Sequence, residues 1–108
     1  MREEKSLLIK VLGDYPLIRV MDFFLTFREF DYPLSEIAEN AGVGWATLHK
    51  IFPKLVEMRV VKPTREIGRA KLFKLDTNRP IVQALIKFDE ALSAEFSEKA
   101  VAAGPIEA

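Results

Sequence analysis

Cysteine is absent from the chain and histidine occurs once, at His49. With no thiol there is no disulfide, no thiolate metal site and no cysteine nucleophile, and a single imidazole makes no zinc cluster. Neither a metal nor a cofactor is expected. Long hydrophobic runs are missing too, since nowhere do about 18 uncharged apolar residues follow one another, as a membrane helix requires. The N-terminal MREEKSLLIKVLG is charged throughout and has no small-residue cleavage site, so it does not read as a signal peptide. The expectation is a cytoplasmic protein with no membrane association. Catalytic signatures are equally scarce: there is no Gly-rich phosphate loop and no obvious nucleophile beside His49. An enzyme is not expected.

What remains is a chain of 108 residues, 49% hydrophobic and 30% charged, which suits one compact domain with an ordinary core. Its formal net charge is zero, but the charge is unevenly spread. Residues 1–44 carry five basic and eight acidic groups (net −3), residues 45–74 eight and two (net +6), and residues 75–108 three and six (net −3). A basic segment thus lies between two acidic ones, a distribution that attracts a polyanion to one face and orients its approach.

The basic segment begins inside the clearest local pattern. In residues 35–55, SEIAENAGVGWATLHKIFPKL, the side chains of Ile37, Ala38 and Ala41 make an apolar face. Gly42 can take the positive φ that ends a helix, and Val43 plugs the angle between two helices. Ala38 is small where two steeply crossing helices touch. Leu48, Ile51, Leu55 and Met58 then recur at helical spacing and are expected to close a second helix against a core. The outline is a helix-turn-helix, with one helix starting near Leu34 and a second over 45–58. Pro53 in the second removes a backbone donor and crowds the carbonyl of His49. A bent helix and a helix that stops and restarts both fit.

Upstream, residues 16–30 carry an apolar stripe of Leu17, Val20, Met21, Phe24, Leu25 and Phe27, with Asp14 as the expected cap and Pro16 in the first turn. The cluster of Phe23, Phe24, Phe27 and Phe30 reads as core, and 31–33 as a short connection. In the N-terminal segment, 1–13, the residues Leu7, Leu8, Ile9, Val11 and Leu12 fit a helix or a short strand equally. Downstream, 59–67 and 69–76 are rich in Val, Ile, Phe and Leu and flank Gly68, an antiparallel hairpin with a basic tip. Pro63 implies that its first strand has an unpaired side. A last helix is expected over 79–101, capped by Thr77 or Asn78, and a flexible tail over 102–108.

The order helix, helix, helix, hairpin, helix, with IAENAGV, LHKIFPKL and REIGRAKLFKL, resembles the winged helix-turn-helix transcription regulators. The likeness is nearest to small archaeal members and looser to the ArsR and MarR groups, and it covers roughly residues 14–96. Gly44 and Trp45 stand where such proteins often have a capping serine and a polar or basic residue. The resemblance implies an α+β, mainly α fold, with a three-helix core, a two-stranded wing and a C-terminal helix. Residues 14–78 are then the DNA-binding domain, with the second motif helix in the major groove and the wing on backbone or minor groove.

On that helix Trp45, Ala46, His49, Lys50 and Pro53 turn outward, with Thr47 and Lys54 beside them. Lys50 suits guanine O6 or N7, His49 a base or phosphate, Ala46 a thymine methyl and Lys54 a phosphate. Trp45 either lies exposed along a sugar-phosphate edge or is buried on Phe52. On the wing, Arg69 suits a narrow minor groove or a phosphate, and Arg65 and Lys71 suit phosphates. One module is small for specific binding, so a homodimer reading half-sites about 10 base pairs apart on double-stranded DNA is expected. Its interface is expected on the stripe Ile81, Leu85, Phe88, Leu92 and Phe96, widened by Val82 and Ile86. The leading expectation is a dimeric DNA-binding transcription regulator. The alternative is a protein-protein interaction module in a transcription-related assembly, which Trp45, the sparse polar set and the zero net charge favour. Nothing in the sequence specifies a small-molecule effector.

Overall fold

The computed structural model describes residues 5–96. The elements run α1 (Leu7–Leu12), α2 (Pro16–Thr26), β1 (Tyr32–Pro33), α3 (Leu34–Ala41), α4 (Trp45–Glu57), β2 (Val61–Ile67), β3 (Ala70–Leu75) and α5 (Pro80–Phe96). The arrangement is α+β and mainly helical, and its strands form one antiparallel sheet in the order β1-β3-β2. The stretch expected to carry the last helix on to 101, and the tail over 102–108, lie outside the described residues. No described helix is long and apolar enough to cross a membrane.

Two helix ends share one hydrogen-bonding device. After α3, Gly42 adopts φ 69°, its N–H donates to the Glu39 carbonyl, and the Val43 N–H donates to Ala38. After α4, the Arg59 N–H donates to Val56 at 3.0 Å and the Val60 N–H to Leu55 at 2.9 Å. Both are Schellman closures, each followed by a buried valine. At the second, the left-handed position is filled by Arg59, with φ 62°, instead of glycine. α4 runs unbroken through Pro53. Leu48, Phe52 and Leu55 face the core and Ile51 is half-buried. Met58 is 49% exposed, because α4 ends at Glu57 and the reversal at Arg59 turns it out of the apolar stripe.

The hairpin turns at Gly68 (φ 62°) and Arg69, between the paired Ile67 and Ala70. Gly68 supplies the positive φ that the first central residue of a tight two-residue turn needs. Thr64 is an extra residue in β2, since Pro63 pairs with Phe73 and Arg65 with Leu72. This bulge shifts the register by one. It puts Val61 opposite Leu75, both buried, and Lys62 opposite Lys74. Pro63 is tolerated because β2 is an edge strand. The expected connection at 31–33 is instead partly a strand, with Tyr32 paired with Phe73 and Pro33 with Leu72.

Residues 7–12 form a helix, whose first turn is capped by the Ser6 hydroxyl accepting from the Ile9 N–H at 3.2 Å. At α2, Tyr15 holds the cap position without a side-chain hydrogen bond. Asp14, the expected cap, is drawn off by Arg19, whose Nη2 donates to it at 3.0 Å, and by Lys5 at 3.1 Å. α2 stops at Thr26, so Phe27 and Phe30 are exposed while Phe23 and Phe24 are buried. Before α5 the Asp76 carboxylate accepts from the Asn78 N–H, and the first helical bond runs from the Gln83 N–H to the Arg79 carbonyl. Helix entry therefore falls after Thr77 and Asn78. One core joins Leu8 of α1, Phe24 of α2, Ile37 of α3, Leu48 of α4, Leu75 of β3 and Val82 of α5. Against α2, burial and the neighbouring Asp22 raise the Asp89 carboxyl above its ordinary range.

Candidate nucleic-acid interface

α4 has 13 residues, about 20 Å at 1.5 Å each, long enough to cross a major groove about 12 Å wide. With Leu48, Phe52 and Leu55 inward, its outer face carries Ala46, His49, Lys50, Pro53 and Lys54, all exposed. Trp45 is 55% exposed and stands away from Phe52, which packs on Phe24 and Phe73. The indole instead meets His49 edge to face, with centroids 4.2 Å apart and planes at 61°. His49 Nδ1 lies 3.1 Å from the Trp45 carbonyl, which can only accept, so Nδ1 bears the proton and donates. That bond orients the imidazole, which lies against the indole.

The hairpin, whose first strand packs against α4, carries a second basic group. Arg69 and Lys71 are exposed at its tip. Arg65 is not free: its Nε and Nη2 donate to the two carboxylate oxygens of Asp31 at 2.9 and 3.2 Å, and the Thr64 hydroxyl donates to Asp31 as well. Arg65 and then Thr64 hold the Asp31 carboxyl down at about 2. Arg65 thus ties the bulged strand to the residue before β1, and a phosphate would have to compete with Asp31 for it. Lys62 and Lys74 face each other across the strands without an ion-pair partner among the described residues. Like charges so placed destabilise a sheet, and an anion laid across them removes the penalty. Neither lysine stands out in the sequence, because their juxtaposition depends on the bulge.

Thr47 sits apart from the other α4 residues. It lines an open cavity of about 310 Å³ with Asp14, Pro16, Arg19, Gly42, Val43 and Gly44, at the corner between α3 and α4. Arg19 spans this corner, its Nη1 donating to the Ala41 carbonyl at 3.4 Å while the same guanidinium grips Asp14. Arg19 and then Lys5 lower the Asp14 carboxyl to about 2. These contacts pin the end of α3 to the start of α2.

Along α5 the expected interface stripe divides. Leu92 and Val82 are buried in the chain's own core, Leu85 and Ile86 are half-buried, and Ile81, Phe88 and Phe96 are exposed. Leu92 lies on the side of α5 that meets α1 and α2 and is removed from the candidate interface. Val11 and Leu12 of α1 add exposed apolar surface. No family model and no curated protein sequence matches the chain.

Proposed function

We propose that the chain is a winged helix-turn-helix transcription regulator that binds double-stranded DNA in the cytoplasm as a homodimer. One observation supports this above the rest. Of the eight basic residues between 45 and 74, Arg65 alone makes an ion pair among the described residues, which leaves seven cations on or beside α4 and the hairpin outside any ion pair, only Lys71 of them standing opposite a carboxylate, Glu66, in the strand register. Such uncompensated charge suits a ligand made of phosphates. In this reading α4 enters the major groove with Lys50, His49 and Ala46 toward base edges, Lys54 takes a phosphate, and Arg69 and Lys71 hold the backbone or minor groove. The exposed Ile81, Phe88 and Phe96, with Val11 and Leu12, would pair two copies.

Fluorescence anisotropy of a labelled duplex, titrated across salt, tests the reading. A dimer touching about eight phosphates gives a log-log slope near −7, flatter by about one or two units in Arg69→Ala. Sedimentation of Ile81→Glu/Phe88→Glu should give a monomer with weaker DNA binding. A second reading, a protein-interaction module, is favoured by the exposure of Trp45 (55%) and Ile67 (57%) on the same two elements. A protein complex that persists in high salt, from a chain that shifts no DNA, would select it.

A further inference from the structure

Trp45 is the chain's only tryptophan, and it occupies the start of α4 with more than half its surface in water. Exposed indoles are common enough singly, but this one is held. His49 packs against it at 4.2 Å and is itself pinned by its Nδ1 donating to the Trp45 carbonyl. An edge-to-face pair leaves an aromatic face uncovered. A fixed aromatic face beside cations binds by stacking, with the phosphates held by neighbouring lysines. Lys50 and Lys54 on the same helix are exposed and unpaired among the described residues.

The rest of the outer face is poor in groups that read base edges. Ala46 and Pro53 offer no donor or acceptor in their side chains, which leaves His49 and Lys50. In an intact duplex each base face is covered by its neighbours and only edges reach the groove, so a stacking surface finds no partner there. A displaced or unpaired base presents the face that Trp45 lacks. We infer that Trp45 and His49 form a stacking platform for an unpaired nucleobase, so that the chain takes DNA containing an extruded base more tightly than perfect duplex. This rests on the DNA-binding reading and specifies its substrate.

The full chain is titrated with a labelled perfect duplex and with the same duplex carrying one unpaired base, following probe anisotropy and tryptophan emission together. The expected result is about tenfold tighter binding of the interrupted duplex, with quenching of emission by that DNA. Trp45→Ala should bring the ratio of the two affinities to about one, and Trp45→Phe, which keeps an aromatic face, should retain part of it. Because the residue is exposed, thermal melts of both variants check that they fold. Equal affinities without quenching overturn the platform and leave DNA binding standing. A ratio unchanged in Trp45→Ala also overturns it. No anisotropy change with either DNA removes this inference and the DNA-binding reading together.

Discussion

Replacing Arg59 with glycine should make the protein more stable, although it deletes a long side chain from the surface. Arg59 holds φ 62° so that its own N–H and that of Val60 can close the end of α4 on Val56 and Leu55. An L-residue in that conformation costs roughly 1–2 kcal/mol because Cβ crowds the carbonyl oxygen. Glycine escapes this but loses about 0.5–1 kcal/mol through the larger freedom of its unfolded chain. The balance favours Arg59→Gly by about 0.5–1 kcal/mol. For a chain this size that raises the melting temperature by about 2–4 °C. Thermal and urea unfolding would measure it, with Arg59→Ala as the decisive companion, since alanine removes the same charge and keeps the strained backbone. Alanine should stay within about 0.5 kcal/mol of the parent. If alanine stabilises as much as glycine, relief of charge repulsion is the cause and the backbone argument fails.

The converse holds at the other closure. Gly42→Ala must adopt φ 69° with a Cβ placed 2.8 Å from Arg19 Nη1, and should lose about 1–2 kcal/mol in urea unfolding. Leu48→Ala empties a fully buried site and should cost about 2–5 kcal/mol, whereas Met58→Ala at an exposed one should change stability by less than about 1 kcal/mol. Asp14 and Asp31 both have folded-state values near 2, below the ordinary carboxylate value of about 4. Their contribution to stability is therefore complete above about pH 4 and disappears as the pH falls through 2. Asp14→Asn and Asp31→Asn should each flatten the stability profile in that window, and a profile as steep as the parent's would refute the pairing.

How far the fold was legible depended on whether its cause was local. Gly42 and Gly68 announced their turns because positive φ is a property of one residue, and Leu48 and Leu55 follow from helical spacing, which pointed to Ile51 where the buried neighbour is Phe52. β1 left no trace, since two residues make no period and only β3 defines them as a strand. The bulge at Thr64 was equally silent. Counting back from Gly68 in simple register sets Lys62 against Leu75, and only the structure turns it to face Lys74. Asp14 had the residue type of a cap, but arginine and lysine neighbours outbid the backbone for it. The outward residues of α4 were legible from the wheel. The engagement of Arg65 by Asp31 was not, because 34 residues separate the partners.

The two-residue strand has a mechanical result out of proportion to its length. Pro33 pairs with Leu72 in β3 and the next residue, Leu34, already begins α3. The first motif helix is therefore bolted to the hairpin with no slack, and the Arg65–Asp31 clasp adds a second fastening one residue before β1. The hairpin cannot swing independently of the helical corner. The two behave as the jaws of a calliper set to one gauge, and a ligand that needs a different spacing must deform itself.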